Sequence, residues 1–344
     1  MHSTNWKNPV AESGPCTLPK KVTIQRPERP LLGLVIPCFN EEDVIPALLA
    51  EMNRFIEECP HPVSVLFVDD GSRDRTFELL SLACALDGRK ACVQLSRNFG
   101  HQTAVSVGLK LCRGDVVAVL DADLQDPVDV VPLMMEKWRE GYDVVYGVRQ
   151  NRKENWLLRS CYATFYRLLK SIADINLPLD SGDFSIMDRR VVDQLNAMPE
   201  HNRFVRGLRG WVGFRQLGFP YDRQARAAGE PKYNLRRLVR LALDGVVAFS
   251  SAPLKLATLL GAVSSVLCFI LIVWALISVF FFDRTPQGWA SLAILILFFS
   301  GVQLLVIGII GEYVGRIFEE VKNRPQFVES QRAGWVAEQL GHHR

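Results

Sequence analysis

Val116-Val117-Ala118-Val119-Leu120-Asp121-Ala122-Asp123-Leu124-Gln125 decides the fold. Its first five residues are an unbroken apolar run, the pattern of a strand buried on both faces. The run ends in two carboxylates and, two residues on, an amide. In open α/β sheets, ligands gather beyond the carboxyl ends of the strands. Carboxylates this close raise each other's pKa unless a cation offsets them. A hard divalent ion takes oxygen ligands and commonly bridges to a phosphate. Taken alone, the same residues also fit a loop of solvated acids.

Outward from this stretch, short apolar runs alternate with amphipathic ones. Leu31–Ile36, Val63–Val68, Cys92–Leu95, Val116–Leu120 and Val144–Tyr146 read as strands, and Glu41–Glu58 and Phe77–Ala85 as helices. That alternation predicts an α/β fold with a mainly parallel sheet covered on both faces. A polar cluster follows each of the first four strands: Pro37-Cys38-Phe39-Asn40-Glu41-Glu42, Asp69-Asp70-Gly71-Ser72, Asn98-Phe99-Gly100-His101 and Asp121-Ala122-Asp123. In a parallel sheet all four share one edge, and their convergence makes a pocket. Phe39 could stack on a base, and Asp69 or Asp70 could accept hydrogen bonds from a nucleobase or ribose. Each cluster by itself is also ordinary turn chemistry. The chain has neither a G-x-G nor a G-x-x-x-x-G-K-[ST], so phosphates must be held by metal and basic side chains.

The chain has 344 residues and a net charge of +3, which does not suggest a nucleic-acid partner. Eight cysteines are scattered without zinc spacing, which fits a reducing, cytosolic environment for the polar part. Residues 1–30 are polar and read as a mobile tail. Leu256–Phe282 and Ala290–Ile310 are long apolar runs, each of bilayer-crossing length, joined by the short link Asp283–Gly288. Two buried core helices are the alternative. Arg236, Arg237, Arg240 and Lys255 precede the first run, and Arg316, Lys322 and Arg324 follow the second, which places both termini in the cytoplasm. Between the sheet and the first run, Leu235–Phe249 has one apolar and one Arg-rich helical face, as a helix lying among lipid headgroups would.

The order V-I-P-C-F-N-E-E, V-D-D-G-S-x-D, S-R-N-F-G-H, D-A-D-L-Q-D-P and G-x-R resembles the family 2 glycosyltransferases of GT-A fold. With D-S-G-D-F, R-F-V-R-G, G-E-P-K-Y and the apolar hairpin, it resembles the polyprenyl-phosphate glycosyltransferases within them. Dolichyl-phosphate mannose synthases and bactoprenol glucosyl transferases belong to that group. The resemblance runs from about Leu31 to Arg324. It implies a nucleotide-sugar donor, a polyprenyl-phosphate lipid acceptor, a divalent metal (Mg2+ or Mn2+) and inversion through one direct displacement. Carried over by position, Asp121, Asp123 and Gln125 hold the metal and the donor diphosphate. Pro37, Phe39, Glu41 and Asp69 bind the nucleoside, with Asp70 beside them. Arg223 and Lys232 reach the diphosphate from the segment Asp222–Asn234, which has the look of a closing loop. Arg149 and Arg159 bind the acceptor phosphate. Asp183 is the candidate for placing the sugar hydroxyls, with a plain turn acid as the alternative, and His101 reads as a hydrogen-bond donor rather than a base. Relatives often carry Arg where this chain has Ser185, so any contact of that Arg is in question.

Chemistry agrees with those roles. A departing diphosphate gathers negative charge, which a metal and cationic side chains stabilise. An acceptor phosphate is already an anion and needs orientation rather than a general base. The arginine fork suits it. The expected layout is a tail (1–30), a GT-A catalytic domain (31–234), an interfacial helix (235–252), a transmembrane hairpin (253–312) and a cytoplasmic tail (313–344). The expected reaction is transfer of one sugar, UDP-glucose preferred as donor, to undecaprenyl or dolichyl phosphate at the plasma membrane of a bacterium. GDP-mannose or another UDP-sugar is the alternative donor. A processive synthase is disfavoured, since Q-x-x-R-W and further spans are missing. The alternative of another class is a membrane scaffold with a vestigial nucleotide pocket. Gly311-x-x-x-Gly315 permits close helix contact, and the resemblance implies self-association, so a homo-oligomer is expected.

Overall fold

The computed structural model describes residues 26–150, 181–201, 203–222, 252–282 and 288–338. Arg159, Arg223, Lys232 and the amphipathic stretch up to residue 251 lie outside the described residues.

The first half alternates as the sequence predicts. It runs β1 (Leu32–Cys38), α1 (Ile45–Glu58), β2 (Val63–Asp69), α2 (Thr76–Leu86), β3 (Lys90–Leu95), α3 (His101–Leu111), β4 (Val116–Val119), α4 (Val130–Arg139) and β5 (Val144–Gln150). Then come β6 (Ser181–Asp188), α5 (Arg189–Ala197), α6 (Val205–Trp211) and β7 (Gln216–Asp222). Two long helices follow, α7 (Ala252–Phe282) and α8 (Trp289–Val321), and then β8 (Glu329–Gly334) and the short α9 (Trp335–Glu338). The strands form one sheet in the order β7-β5-β6-β4-β1-β2-β3-β8. β3-β2-β1-β4 is parallel throughout, while β6 runs antiparallel to both β4 and β5, and β8 antiparallel to β3.

Each parallel strand is buried on both faces because successive side chains point to opposite sides. Leu32, Leu34 and Ile36 of β1, with Val116 and Ala118 of β4, pack with Leu48, Met52 and Phe55 of α1 and Met134 and Trp138 of α4. Val35, Val117 and Val119 point the other way, into Val105 and Leu109 of α3 and Val191 and Leu195 of α5. Each of the valines, leucines, isoleucines, methionines and phenylalanines among them contributes about 1.5–3 kcal/mol by leaving water. α1 earns its helix from apolar residues at Ile45, Leu48, Met52, Phe55 and Ile56, one stripe of the 3.6-residue period, and from a proline in its first turn. α3 lies close against the sheet at Gly108, where a Cβ would stand 2.0 Å from Val35 Cγ1. That approach brings the start of α3, His101, to the carboxyl edge.

α7 and α8 are 31 and 33 residues long and lie side by side. Among the described residues, Phe298–Val321 is long and apolar enough to cross a membrane, and Ala257–Leu271 is a shorter apolar helical stretch. α8 continues past the expected span end at Ile310, through the pair Arg316–Glu312 at 3.1 Å. Within the stretch 313–344, expected as a cytoplasmic tail, residues 329–338 return to the sheet. β8 pairs with β3 from Gly334 opposite Ala91 to Glu329 opposite Leu95, and Trp335 and Val336 are buried in the α3 face of the core. A strand of Glu, Ser, Gln, Arg, Ala and Gly has no apolar alternation to announce it.

Candidate active site

Because β1, β2, β3 and β4 run parallel, their polar clusters meet at one edge. Strand order reverses between β1 and β4, so the edge there is a topological switch point. The loops after β1 and β2 are stitched together. Asn40 N donates to Ser72 Oγ at 2.8 Å, Arg73 N to Asn40 Oδ1 at 2.9 Å and Glu41 N to Thr76 Oγ1 at 2.9 Å. Gly71 is required where it stands. Its φ is +68°, and a Cβ would come 2.4 Å from the Arg97 carbonyl carbon. Pro37 lies within β1 opposite Val68, and Phe39 is exposed at the rim, where stacking is open to it.

Asp69 and Asp70 are adjacent and both buried, with separate partners. Asp69 Oδ1 accepts from Ser72 N and from the Ser72 hydroxyl, and Oδ2 accepts from Gln94 Nε2 at 2.9 Å. Asp70 accepts from the backbone amides of Phe99 at 2.7 Å and Gly100 at 2.9 Å. Asp70 therefore fastens the loop that leads into α3. Burial pushes both carboxyls above the usual range, and their hydrogen bonds work against it.

The D-x-D stretch follows β4 directly. Asp121 is 28% exposed in its side chain, and Gln125 is buried. Leu124 between them takes φ +55°, a left-handed conformation that costs a branched residue about 1–3 kcal/mol. Strain of this kind clusters at functional sites. The turn is supported by Gln125 N donating to Asp123 Oδ1 at 3.2 Å and by the Tyr221 hydroxyl donating to Asp126 at 2.6 Å. A cavity of about 310 Å³ opens between this turn and α1, lined among others by Asp121, Leu124, Asp126, Leu48 and Glu51. Burial pushes the Asp121 carboxyl up, and Asp183, Asp126 and Asp123 add to that against the charge of His101. Among the described residues, no cluster of three or more His, Cys, Asp or Glu is poised as a ready metal set. The donor set nonetheless has the chemistry a hard cation takes: carboxylate and amide oxygens, with Asp121 partly open to solvent.

Asp183 comes from β6 and stands beside Asp121. Arg206 of α6 grips it with two parallel bonds, Nε to Oδ1 at 2.7 Å and Nη2 to Oδ2 at 2.9 Å. His101 Nε2 lies 3.2 Å from Asp183 Oδ2 and 3.8 Å from Asp121 Oδ1. Burial opposes ionisation of Asp183, but Arg206 and His101 outweigh it and hold the carboxyl well below its ordinary value. Burial likewise opposes charge on His101. The Asp183 hydrogen bond and the two carboxylates overcome it and raise the imidazole pKa. Beneath them Arg209 is 2% exposed, its guanidinium 5.1 Å over the Tyr146 ring, and burial lowers its pKa to about 10.

The structure thus gathers Pro37, Phe39, Glu41, Asp69, Asp70, Asp121, Asp123, Gln125 and Asp183 at one edge. Of Arg149 it describes the backbone, at the end of β5 opposite Tyr221. Sequence reasoning missed the part played by Arg206, Arg209 and Gln102. The R-F-V-R-G string contains Arg206, but its partner Asp183 is distant in the chain.

Residues 34–195 match the description "Glycosyl transferase family 2". The chain is 43% identical over 303 residues to the "Uncharacterized glycosyltransferase YkcC" of Bacillus subtilis, covering 88% of this chain and 94% of that protein. It belongs to glycosyltransferase family 2. This family 2 glycosyltransferase is also 38% identical over 298 residues to the bactoprenol glucosyl transferase of Shigella phage SfII, covering 86% of this chain and 96% of that one. Among solved structures, the mannosyltransferase PcManGT of Pyrobaculum calidifontis in complex with GDP-Man and Mn2+ is 16% identical, with a TM-score of 0.44, over 83% of this chain and 87% of that one. A likeness at that score carries neither the metal nor the nucleotide to this chain.

Proposed function

We propose that this glycosyltransferase moves one sugar from a nucleotide sugar, UDP-glucose for preference, to undecaprenyl phosphate at the cytoplasmic face of a membrane, with inversion. The observation that carries this reading is the acid-rich edge at the β1–β4 switch point, in a chain 38% identical over 298 residues to a bactoprenol glucosyl transferase. Pro37, Phe39, Glu41 and Asp69 line the nucleoside end. Asp70 acts there indirectly, by fixing the neighbouring loop. Asp121, Asp123 and Gln125 would hold a divalent ion, Mg2+ or Mn2+. Bound there, the ion supplies positive charge to the oxygens of the departing diphosphate.

Arg223 and Lys232 add charge to the same leaving group from the following segment, and Arg149 and Arg159 receive the acceptor phosphate. That phosphate attacks as an anion, so the site needs no base to take a proton from it. His101, already engaged with Asp183, is in keeping with that economy. α7 and α8 form the hairpin that crosses the bilayer twice, preceded by the interfacial helix, and bring the pocket to the depth of a lipid phosphate. Gly311 and Gly315 have open space around them, which leaves that face of α8 available for contact between copies.

The test is transfer itself. Purified full-length protein is incubated with radiolabelled UDP-glucose, UDP-galactose or GDP-mannose, a divalent metal and undecaprenyl phosphate, and label is counted in the organic phase. Metal-dependent transfer from one donor is expected. Absence of transfer from every donor, with no metal-dependent UDP binding, would favour the scaffold instead.

A further inference from the structure

Asp183 is held more firmly than a turn acid requires. β5 and β6 lose register at it. Tyr146 faces Ser185 and Val148 faces Ser181, so Gly147 alone spans Gly182, Asp183 and Phe184. Irregularities of this kind recur beside active sites, where they re-aim a side chain. The re-aimed carboxylate is 6% exposed and meets the Arg206 fork. Its Oδ2 is crowded: Arg206 Nη2, His101 Nε2 at 3.2 Å and Gln102 Nε2 at 3.4 Å all converge on it. Its Oδ1 takes Arg206 Nε alone among the described residues. A carboxylate oxygen accepts along two lone-pair directions, so one acceptor direction on Oδ1 is left over.

Arg206 stands on a helix fixed from two sides. Val205 N donates to Gln102 Oε1 at 2.9 Å, which ties the start of α6 to the start of α3. Just upstream, His201 N donates to the Glu320 carboxylate at 3.0 and 3.2 Å, and Gln326 Nε2 donates to Glu200 O at 2.7 Å. The end of α8 thus braces the approach to α6. Three elements far apart in the chain cooperate to place one guanidinium against one carboxylate. Stability alone does not call for this, since Asp183 is buried while Arg206 is 36% exposed, and the pair must first offset the cost of taking the carboxylate out of water.

We infer that Arg206 is a positioning residue for the transfer: it holds Asp183 so that Oδ1 accepts a hydroxyl of the transferred sugar, and so sets which sugar is used. This rests on the reading that the edge binds a nucleotide sugar. A site built to hydrogen-bond a hydroxyl discriminates strongly against a sugar that presents it elsewhere. Discrimination should therefore fall when the carboxylate is free to turn.

The test uses full-length protein, with undecaprenyl phosphate as acceptor and UDP-glucose and its C4 epimer UDP-galactose as donors. Arg206→Ala is expected to lower kcat about 10- to 100-fold, as loss of positioning does. The kcat/KM ratio between the epimers should shrink, while UDP, which lacks the transferred sugar, binds as tightly as before. Arg206→Lys should recover part of both losses, because an ammonium keeps the charge without the fork. Two results would overturn the inference. One is an Arg206→Ala enzyme with unchanged kcat and epimer ratio. The other is loss of UDP affinity in step with activity, which would make Arg206 a general support of the fold. If the wild-type chain transfers neither sugar, the reading beneath falls and takes the inference with it.

Discussion

Asp70→Ala is expected to loosen the loop between β3 and α3 before it weakens nucleotide binding. Asp70 is 3% exposed, and its two oxygens accept from Phe99 N and Gly100 N. Gly100 sits at φ +99° at the start of α3, and its carbonyl accepts from Thr103 N and Ala104 N. Releasing the two amides therefore unfastens the first turn of the helix that presents His101. A hydrogen bond to a charged group is worth about 1.5–3 kcal/mol, so the pair is worth about 3–6 kcal/mol gross. Two effects reduce this. The ionised carboxylate bears a burial cost, seen in its raised pKa, and that cost disappears with it. Water can also reach the half-buried Phe99 and Gly100. A net local loss of about 2–4 kcal/mol is left, which is roughly 30- to 700-fold in an opening equilibrium.

Amide hydrogen exchange of a peptide covering residues 96–104 reads that number directly, and UDP affinity is measured on the same sample. The expected result is faster exchange at Phe99 and Gly100 by that factor, with a smaller change in affinity. Unchanged protection together with lost UDP binding would refute the reasoning. Asp70 would then be a direct ligand of the nucleoside, as its place after β2 suggests.

Three further outcomes are expected. Asp123→Asn removes one charge from the proposed metal set and should abolish transfer and metal-dependent UDP binding; near-normal turnover would defeat the metal assignment. Asp183 has a folded pKa below its unfolded value of about 3.9, so its stabilising contribution is complete above that value and drains away as pH falls through the folded one. Urea midpoints at pH 5 and pH 3.5 should therefore fall more for wild type than for Asp183→Asn, and equal falls would deny the pair its stabilising role. A chain ending at Val328 loses β8 and the buried Trp335 and Val336, about 3–6 kcal/mol of burial, and bares the edge of β3. It should melt lower and aggregate, whereas an unchanged melting temperature would make β8 dispensable.

β1 to β5 were legible because strands covered on both faces must be apolar throughout, and a stretch such as Val116–Val119 allows no other reading in an alternating chain. The later strands lack that constraint. β7 lies at the sheet edge and tolerates Gly218 and Pro220, residues that read as a turn when met in sequence. β8 is the opposite edge and is polar. β6 opens with Ser-Gly-Asp, which also reads as a turn, because its register breaks there to serve Asp183.

The same limit applies to the site. Residue type and position after a strand identified the acids, since a carboxylate at a carboxyl edge is chemically conspicuous. Which of their lone pairs are already occupied depends on partners brought by the fold, and nothing local records them. Asp69 and Asp70 make the case. They are neighbours of one residue type, but the pleat sends successive side chains to opposite sides. One therefore meets Ser72 and Gln94, and the other meets the amides of Phe99 and Gly100. Asp183 is the converse. By sequence it is either a sugar-placing acid or a plain turn acid, and it becomes a fixed acceptor because Arg206 arrives from another helix. In a site of this construction, the charges open to a ligand can be told from the charges already engaged only by following each oxygen to its donor.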